Sequence, residues 1–315
     1  MSFVACDNDL EVTAPWKDIP VVYGFLSPTD TAHYIRIEKA FLDPNTSAEE
    51  IARIPDSLYY KNLDAAIVDV ARDMRFQLEE VDGALEGYIR DEGIFAENPN
   101  ILYKVDASDL DLTAERRYRL EINRAESLPT VTAEIEQVKR AVIKRPVPNT
   151  ELRFPYEQDF KVLWEFADNA FFYDVSLLIR FDEGMTGVPG SYEPVVLEWA
   201  LGRNITANDV EVLGITFYEY LAAELEADPS ISRIFNSVDC LVRSGGEELY
   251  TFRTIQLANS GITGAGGDIP QYTNLSEGFG LLTSSNLDRI NELGLHPETM
   301  DSLRNGVITK DLNFL

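Results

Sequence analysis

Ile19-Pro20-Val21-Val22-Tyr23-Gly24-Phe25-Leu26, followed at once by Ser27-Pro28-Thr29-Asp30, decides how this chain reads. The first eight residues are rich in β-branched and aromatic side chains, which suit a pleated surface, and the next four are turn chemistry, so a hairpin is predicted. Residues 31–41 then alternate, with His33, Ile35 and Ile37 on one face and Tyr34, Arg36 and Glu38 on the other. His33 falls near a strand end, in a structural role.

Outward from this hairpin the pattern repeats. Short strands are expected at 65–70, 75–80, 101–105, 117–122 and 131–138, separated by polar or Gly-containing loops. In the 117–122 strand, Tyr118, Leu120 and Ile122 share the buried side while Arg117, Arg119 and Glu121 face water. The polar stretch 43–56 is an edge excursion with a short helix at 47–53, begun by a Ser47…Glu50 capping box. That density of strands predicts an immunoglobulin-like or transthyretin-like β-sandwich over 19–140, without the Cys-Trp-Cys signature of true immunoglobulin members.

Residues 139–150 carry Lys139, Arg140, Lys144, Arg145, Pro146 and Pro148 with no apolar period, which places a domain boundary there. A second β-rich domain over 150–315 follows, with strands expected at 160–166, 171–181, 193–201, 209–215, 232–242 and 248–258. It holds one or two helices. The first spans 217–227: Thr216 caps it, Glu219 completes the box, Phe217, Tyr220, Leu221 and Leu225 form its stripe, and Pro229 stops it. The second runs from Pro297 in its first turn to Asn305, with Gly306 at C′. The expected fold class is therefore mainly β.

Composition narrows the function. At 315 residues the chain exceeds one typical domain, and 45% hydrophobic residues suffice for packed cores. With 54 acidic against 27 basic side chains, the net charge of −27 repels nucleic acid and anionic lipid. Two cysteines, Cys6 and Cys240, build neither a disulfide framework nor a zinc ribbon. No apolar run is long enough for a transmembrane helix, so a membrane link must be covalent.

Signals for catalysis are weak. The two histidines, His33 and His296, lie in different domains with no triad signature nearby. Cys240 sits in the strand-like Val238-Asp239-Cys240-Leu241-Val242, where a thiol is packing material. Acid pairs are too abundant to single out a glycosidase. Asp106, Asp109 and Asp111 are the calcium candidates, closely spaced oxygen donors that lack the Gly and terminal Glu of an EF-hand loop; a solvated loop is the favoured reading. The glycine-rich stretch 260–267 lacks the Lys-Ser/Thr ending of a phosphate cradle and reads as a flexible loop. Tyr59-Tyr60 and Phe171-Phe172-Tyr173 could stack on sugars, although aromatic residues in strands more often pack in cores. No cofactor and no enzymatic activity are expected.

The amino terminus points elsewhere. Phe3-Val4-Ala5-Cys6 is similar to the tail of a bacterial lipoprotein signal, and Asp7, Asn8, Asp9 and Glu11 resemble the acidic export signal that Bacteroidota-type lipoproteins use to reach the cell surface. Lipidation at Cys6 would anchor firmly once several acyl chains act together, each buried methylene contributing about 0.8 kcal/mol. Three further segments complete the resemblance: residues 20–27, the 117–122 strand, and Tyr272-Thr273-Asn274-Leu275-Ser276-Glu277-Gly278-Phe279-Gly280-Leu281. Together they resemble uncharacterised two-domain surface lipoproteins of Bacteroidota, in which a sandwich follows the lipidated cysteine and a larger β domain ends near an Asn…Gly-aromatic-Gly stretch. The resemblance implies a leader over 1–18, an outer-membrane, cell-surface location and no agreed catalytic residues. The function expected is a non-enzymatic subunit of an outer-membrane, secretion, adhesion or nutrient-uptake assembly, with other proteins as partners and no nucleic acid. A glycan-binding or glycan-degrading surface protein and a calcium-dependent adhesin are the alternatives.

Overall fold

A computed structural model describes residues 19–40, 52–91, 93–125, 127–259 and 271–315. The architecture is mainly β, with four α-helices among the described residues. The opening hairpin forms as its sequence dictates: β1 (Ile19–Leu26) and β2 (Ala32–Ala40) pair antiparallel with Gly24 opposite Ile35, and Asp30 N donates to Ser27 O at 3.1 Å to close the turn. Val22, Leu26, Ile35 and Ile37 turn inward from it.

The first body is a sandwich. One layer takes β1, β2, β6 (Ile101–Asp106) and β5 (Glu79–Asp82); the other orders β4 (Met74–Gln77), β3 (Asp64–Asp69), β7 (Arg117–Asn123) and β8 (Val131–Glu136). Between them lie Ala65, Ile67, Tyr103, Tyr118, Leu120 and Ile122, so the alternation expected in β7 is the one that packs. The single strand expected at 75–80 is instead two. Leu78, 4% exposed, turns into the core between β4 and β5, and the chain crosses there from one layer to the other. A one-turn helix, α1 (Pro55–Leu58), packs beside β2. The helix expected at 47–53 lies, but for its last two residues, outside the described residues, as do the 1–18 leader and the 260–267 stretch.

The second body is also layered. A three-stranded sheet of β14 (Asp209–Leu213), β11 (Asp159–Glu165) and β9 (Val142–Arg145) faces β13 (Glu193–Ile205), β12 (Phe172–Met185), β15 (Ile231–Gly245) and β16 (Phe279–Leu295), with the two-residue β10 (Glu151–Leu152) alongside β16. Its core gathers Trp164, Tyr173, Leu177, Phe181, Val238 and Cys240. Strand β9 falls within the 139–150 stretch expected to be a boundary, so that stretch is built into the second body.

Two helices depart from their expected form. The 217–227 helix is α2 (Ile215–Glu224); it begins at Gly214, and the Thr216 hydroxyl bonds back to Leu213 O at 2.6 Å, so Thr216 is not its cap. The strand expected at 248–258 is helix α3 (Glu247–Asn259). Two acids in the first turn favour a helix start through the backbone dipole, and Tyr250 N donates to Gly246 O at 3.2 Å as the first turn requires. Leu249 and Phe252, three apart, pack with Phe172 and Leu281; this is a helical stripe that local counting mistook for alternation. The last helix, α4 (Pro297–Asn305), matches its expected bounds, with His296 Nδ1 accepting from Glu298 N at 3.3 Å.

The 17-residue β16 decides the architecture. Its first six residues pair parallel with β1, Val21 opposite Phe279 through Leu26 opposite Ser284, while Ser285 to Leu293 pair antiparallel with β15. One strand therefore belongs to both bodies, and Leu275 and Leu282 enter the first body's core. The crossing needs two glycines. At Gly278 (φ 109°) a Cβ would lie 2.3 Å from Pro20 O, and at Gly280 (φ 113°) 1.8 Å from Val22 O. The Asn…Gly-aromatic-Gly stretch is thus the latch that seats the last strand beside the first.

Candidate functional site

Of the two histidines and Cys240, His33 and Cys240 are buried and His296 is half-buried at a helix start. His33 is buried at the rim of the first core; burial pushes its ring below the ordinary histidine value, partly offset by Asp30 and the backbone of Leu110, and its nitrogens make no well-formed hydrogen bond among the described residues. His296 serves as a helix cap in the other body. Cys240 is enclosed in the second core, and burial pushes its thiol up to about 12, which removes the nucleophilic thiolate at neutral pH.

The calcium candidates do not converge. Asp106 ends β6 with its carboxylate 3.4 Å from Lys104 Nζ, Asp109 and Asp111 are exposed along the chain that follows, and among the described residues no group of three or more acidic, His or Cys side chains could hold a metal ion. Of the aromatic candidates, Tyr59, Tyr60, Phe172 and Tyr173 are buried, and only Phe171 of the five is exposed. Phe171 lines a cleft of about 280 Å³ between the bodies with Arg117, Glu136, Asn169, Glu247 and Glu248. Cys6, Asp7, Asp9 and Glu11 lie outside the described residues.

Beneath that cleft the bodies are strapped together by side chains bonding to backbone. Ser284 Oγ donates to Glu136 O at 2.8 Å and accepts from Val138 N at 3.2 Å; Gln137 Nε2 reaches Ser285 O at 3.0 Å; Asn286 Nδ2 reaches Val138 O at 3.0 Å. The three polar side chains, of Ser284, Gln137 and Asn286, are buried with these partners present. The chain passes from the first body to the second without a free hinge at this point.

The arrangement with most chemical capacity is the outer face of the second body's large sheet. Alternation along β12 and β15 sends Leu177, Ile179, Val238 and Cys240 inward and leaves Asp174, Leu178, Arg180, Asp239, Leu241 and Arg243 on the other side. Two buried aspartates organise arginines there. Asp239 accepts from Arg180 Nε at 2.9 Å, from Arg289, and from Glu292 N at 2.9 Å. Burial alone would raise its carboxyl, but these donors outweigh it and hold Asp239 below the ordinary carboxylate value. Asp174 does the same for Arg253 at 2.8 Å, with Arg203 at 3.8 Å, and Arg253 stacks over Phe172 at 4.8 Å. A groove of about 480 Å³ lies along Arg180, Ser237, Arg289 and Asn291. Guanidinium groups fixed at one nitrogen present their remaining donors already oriented, which suits carboxylate or backbone-carbonyl recognition. Sequence reading missed these clusters because Asp239 is 59 residues from Arg180 and 50 from Arg289.

No family model matches the chain, and no curated protein does either. Among solved structures it is similar to the two-domain fragment DIP-gamma IG1+IG2, at 8% identity over 89% of this chain and 97% of that one, with a TM-score of 0.20. It is also similar to the complex of Dpr11 IG1 with DIP-gamma, at 7% identity over 89% and 98%, TM-score 0.20. A third likeness is to the C-terminal globular domain of an oligosaccharyltransferase from Pyrococcus abyssi, at 10% identity over 84% and 44%, TM-score 0.20. Likenesses this distant carry no argument about function.

Proposed function

We propose that this protein is a non-enzymatic cell-surface lipoprotein, held at the outer membrane by acyl chains on Cys6 and serving as an accessory or structural subunit that binds other proteins. The observation that carries the binding role is the face on which Asp174 and Asp239 hold four arginines in fixed positions. Arginine is enriched at protein interfaces, and guanidinium groups already immobilised lose less entropy on docking. The two sandwiches joined through β16 supply a stiff support for such a face. The buried Cys240 thiol and the placement of His33 and His296 support a role without covalent chemistry. The anchor rests on the resemblance of residues 3–11 to a lipoprotein signal.

Mass spectrometry of the amino terminus from native cells tests location, with a diacylated or triacylated Cys6 expected and an unmodified thiol overturning it. Gentle solubilisation tests the role. A stoichiometric partner, lost on Arg180→Ser with Arg289→Ser, is expected, and a lone monomer would remove the proposal.

A further inference from the structure

An open pocket of about 540 Å³ lies between the end of β13 and helix α3, lined by Arg203, Asn204, Phe252, Arg253, Gln256 and Leu257. No carboxylate lines it, in a chain with 54 acidic against 27 basic side chains. The cleft beside Phe171 holds Glu134, Glu136, Glu247 and Glu248, the groove along Arg180 holds Asp239 and Glu292, and a hollow beside Lys310 holds Asp311. Of these four, the α3 pocket alone meets an anion with no like charge in its wall.

Its cations are fixed from behind. Asp174, 4% exposed, accepts from Arg253 Nη1 at 2.8 Å and from Asn204 N at 2.9 Å, and the same Nη1 donates to Asn204 Oδ1 at 3.0 Å. The Arg253 guanidinium also lies 4.8 Å over the Phe172 ring, which sets its plane. Among the described residues both of its hydrogen bonds use Nη1, so Nε and Nη2 are left for a ligand. Arg203 stands 3.8 Å from Asp174 and 3.4 Å from Glu198. The Glu198 contact joins two exposed side chains, and a pair of that kind contributes little, so a ligand carboxylate replaces it at small loss. Phe252 and Leu257 give the pocket its apolar wall, with Leu257 64% exposed.

We infer that this pocket binds a carboxylate carried on a short hydrocarbon body, the carboxylate at Arg203 and Arg253 and the hydrocarbon against Phe252 and Leu257. A guanidinium matches a carboxylate with paired hydrogen bonds, and a hydrocarbon laid on the apolar wall takes Leu257 out of water. The volume lies within the range of pockets that hold small organic ligands. An inorganic anion would meet the same arginines but leave Phe252 and Leu257 uncovered. A fatty acid and the last residue of a polypeptide both present the required chemistry. Asp174 also belongs to the face proposed above for partner binding, but the pocket needs no protein partner to fill it.

Calorimetric titration of the full chain tests this with octanoate, octanamide, and the peptide acetyl-Gly-Gly-Leu ending in either a free carboxylate or an amide. At least one free acid is expected to bind, about tenfold more tightly than its own amide. Octanoate as that acid identifies a fatty acid, and the peptide identifies a chain terminus. Hydrogen exchange at 252–257 should slow with the acid bound, while exchange in β7 stays unchanged. Arg203→Ala with Leu257→Ser, both exposed side chains, should weaken that acid about tenfold at an unchanged denaturation midpoint. Should the pair lower that midpoint, Arg203→Ala alone is read in the same way. Neither acid exceeding its amide, or an affinity unaltered in the variant, overturns the inference. Arg180 and Arg289 are untouched by these substitutions, so such a failure leaves partner binding to its own co-purification test, and a lone monomer in that test leaves acid binding intact.

Discussion

The side chain of Asn274 takes both backbone groups of Leu282: its Nδ2 donates to Leu282 O at 2.8 Å, and its Oδ1 accepts from Leu282 N at 3.0 Å. A side-chain amide here replaces a neighbouring strand at the point where β16 enters the first core. Just beyond it, Leu275 bridges Ala133 of β8 and Ser276 N donates to Thr132 O at 2.7 Å, so one short segment ties both layers of the first sandwich together.

Asn274→Leu should cost about 2 kcal/mol, because it strips partners from two backbone groups of a residue buried in the core. Chemical denaturation checks this, and Asn274→Gln should recover little, since its longer chain misplaces the amide. A loss below about 0.5 kcal/mol would mean that Asn274 contributes no staple.

Gly280→Ala should be more damaging. The new methyl meets Val22 O at 1.8 Å, and the φ of 113° is unfavourable for any residue with a Cβ. A loss of about 3 kcal/mol or more is expected, with faster hydrogen exchange in both β1 and β16. A variant as stable as wild type would show that β16 does not sit beside β1.

Acid should weaken the fold partly through His33. Its folded value is depressed by burial, so near neutral pH the ring is neutral in both states and nothing is lost. Below the unfolded value of about 6.5 the unfolded chain takes a proton that the folded chain resists, and stability falls by up to about 1.4 kcal/mol per pH unit until the folded value is reached. In denaturation midpoints compared from pH 7 to 5, wild type should lose stability relative to His33→Leu as pH falls. Parallel curves would rule this out.

Arg233 should be among the most sensitive side chains. It is 2% exposed and donates to Glu183 at 2.7 Å, to Leu312 O at 2.7 Å and to Glu226 O at 3.2 Å, while its own backbone pairs with Asn313 and Leu315. Arg233→Met keeps the volume but leaves Glu183 and two carbonyls without the donor, for an expected loss of about 3 kcal/mol. Exchange at 310–315 should rise more than exchange in β7. Unchanged protection at 310–315 would show that the arginine does not hold that segment.

What could be read locally was read where one face of a strand meets water. In β7, Tyr118, Leu120 and Ile122 alternate with Arg117, Arg119 and Glu121, and side-chain period alone fixes which face is buried. The hairpin, most strands of both bodies, the mainly β class and the bounds of α4 follow from that rule and from turn and cap chemistry. Strand β16 escaped it because Leu281, Leu282, Thr283, Ser284, Ser285 and Asn286 are buried in succession, with the Ser284 and Asn286 side chains bonding to the backbone of residues 136–138. No local pattern reports partners contributed by chain more than a hundred residues away.

The sequence by itself therefore determined two β-built bodies, an acidic surface and a fold with its thiol inside, because propensity, period and charge are properties of neighbouring residues. The tertiary structure decided that one strand serves both bodies and that buried aspartates hold arginines on an open sheet face. Each of these depends on distances between residues far apart in the chain, and such distances are set by packing.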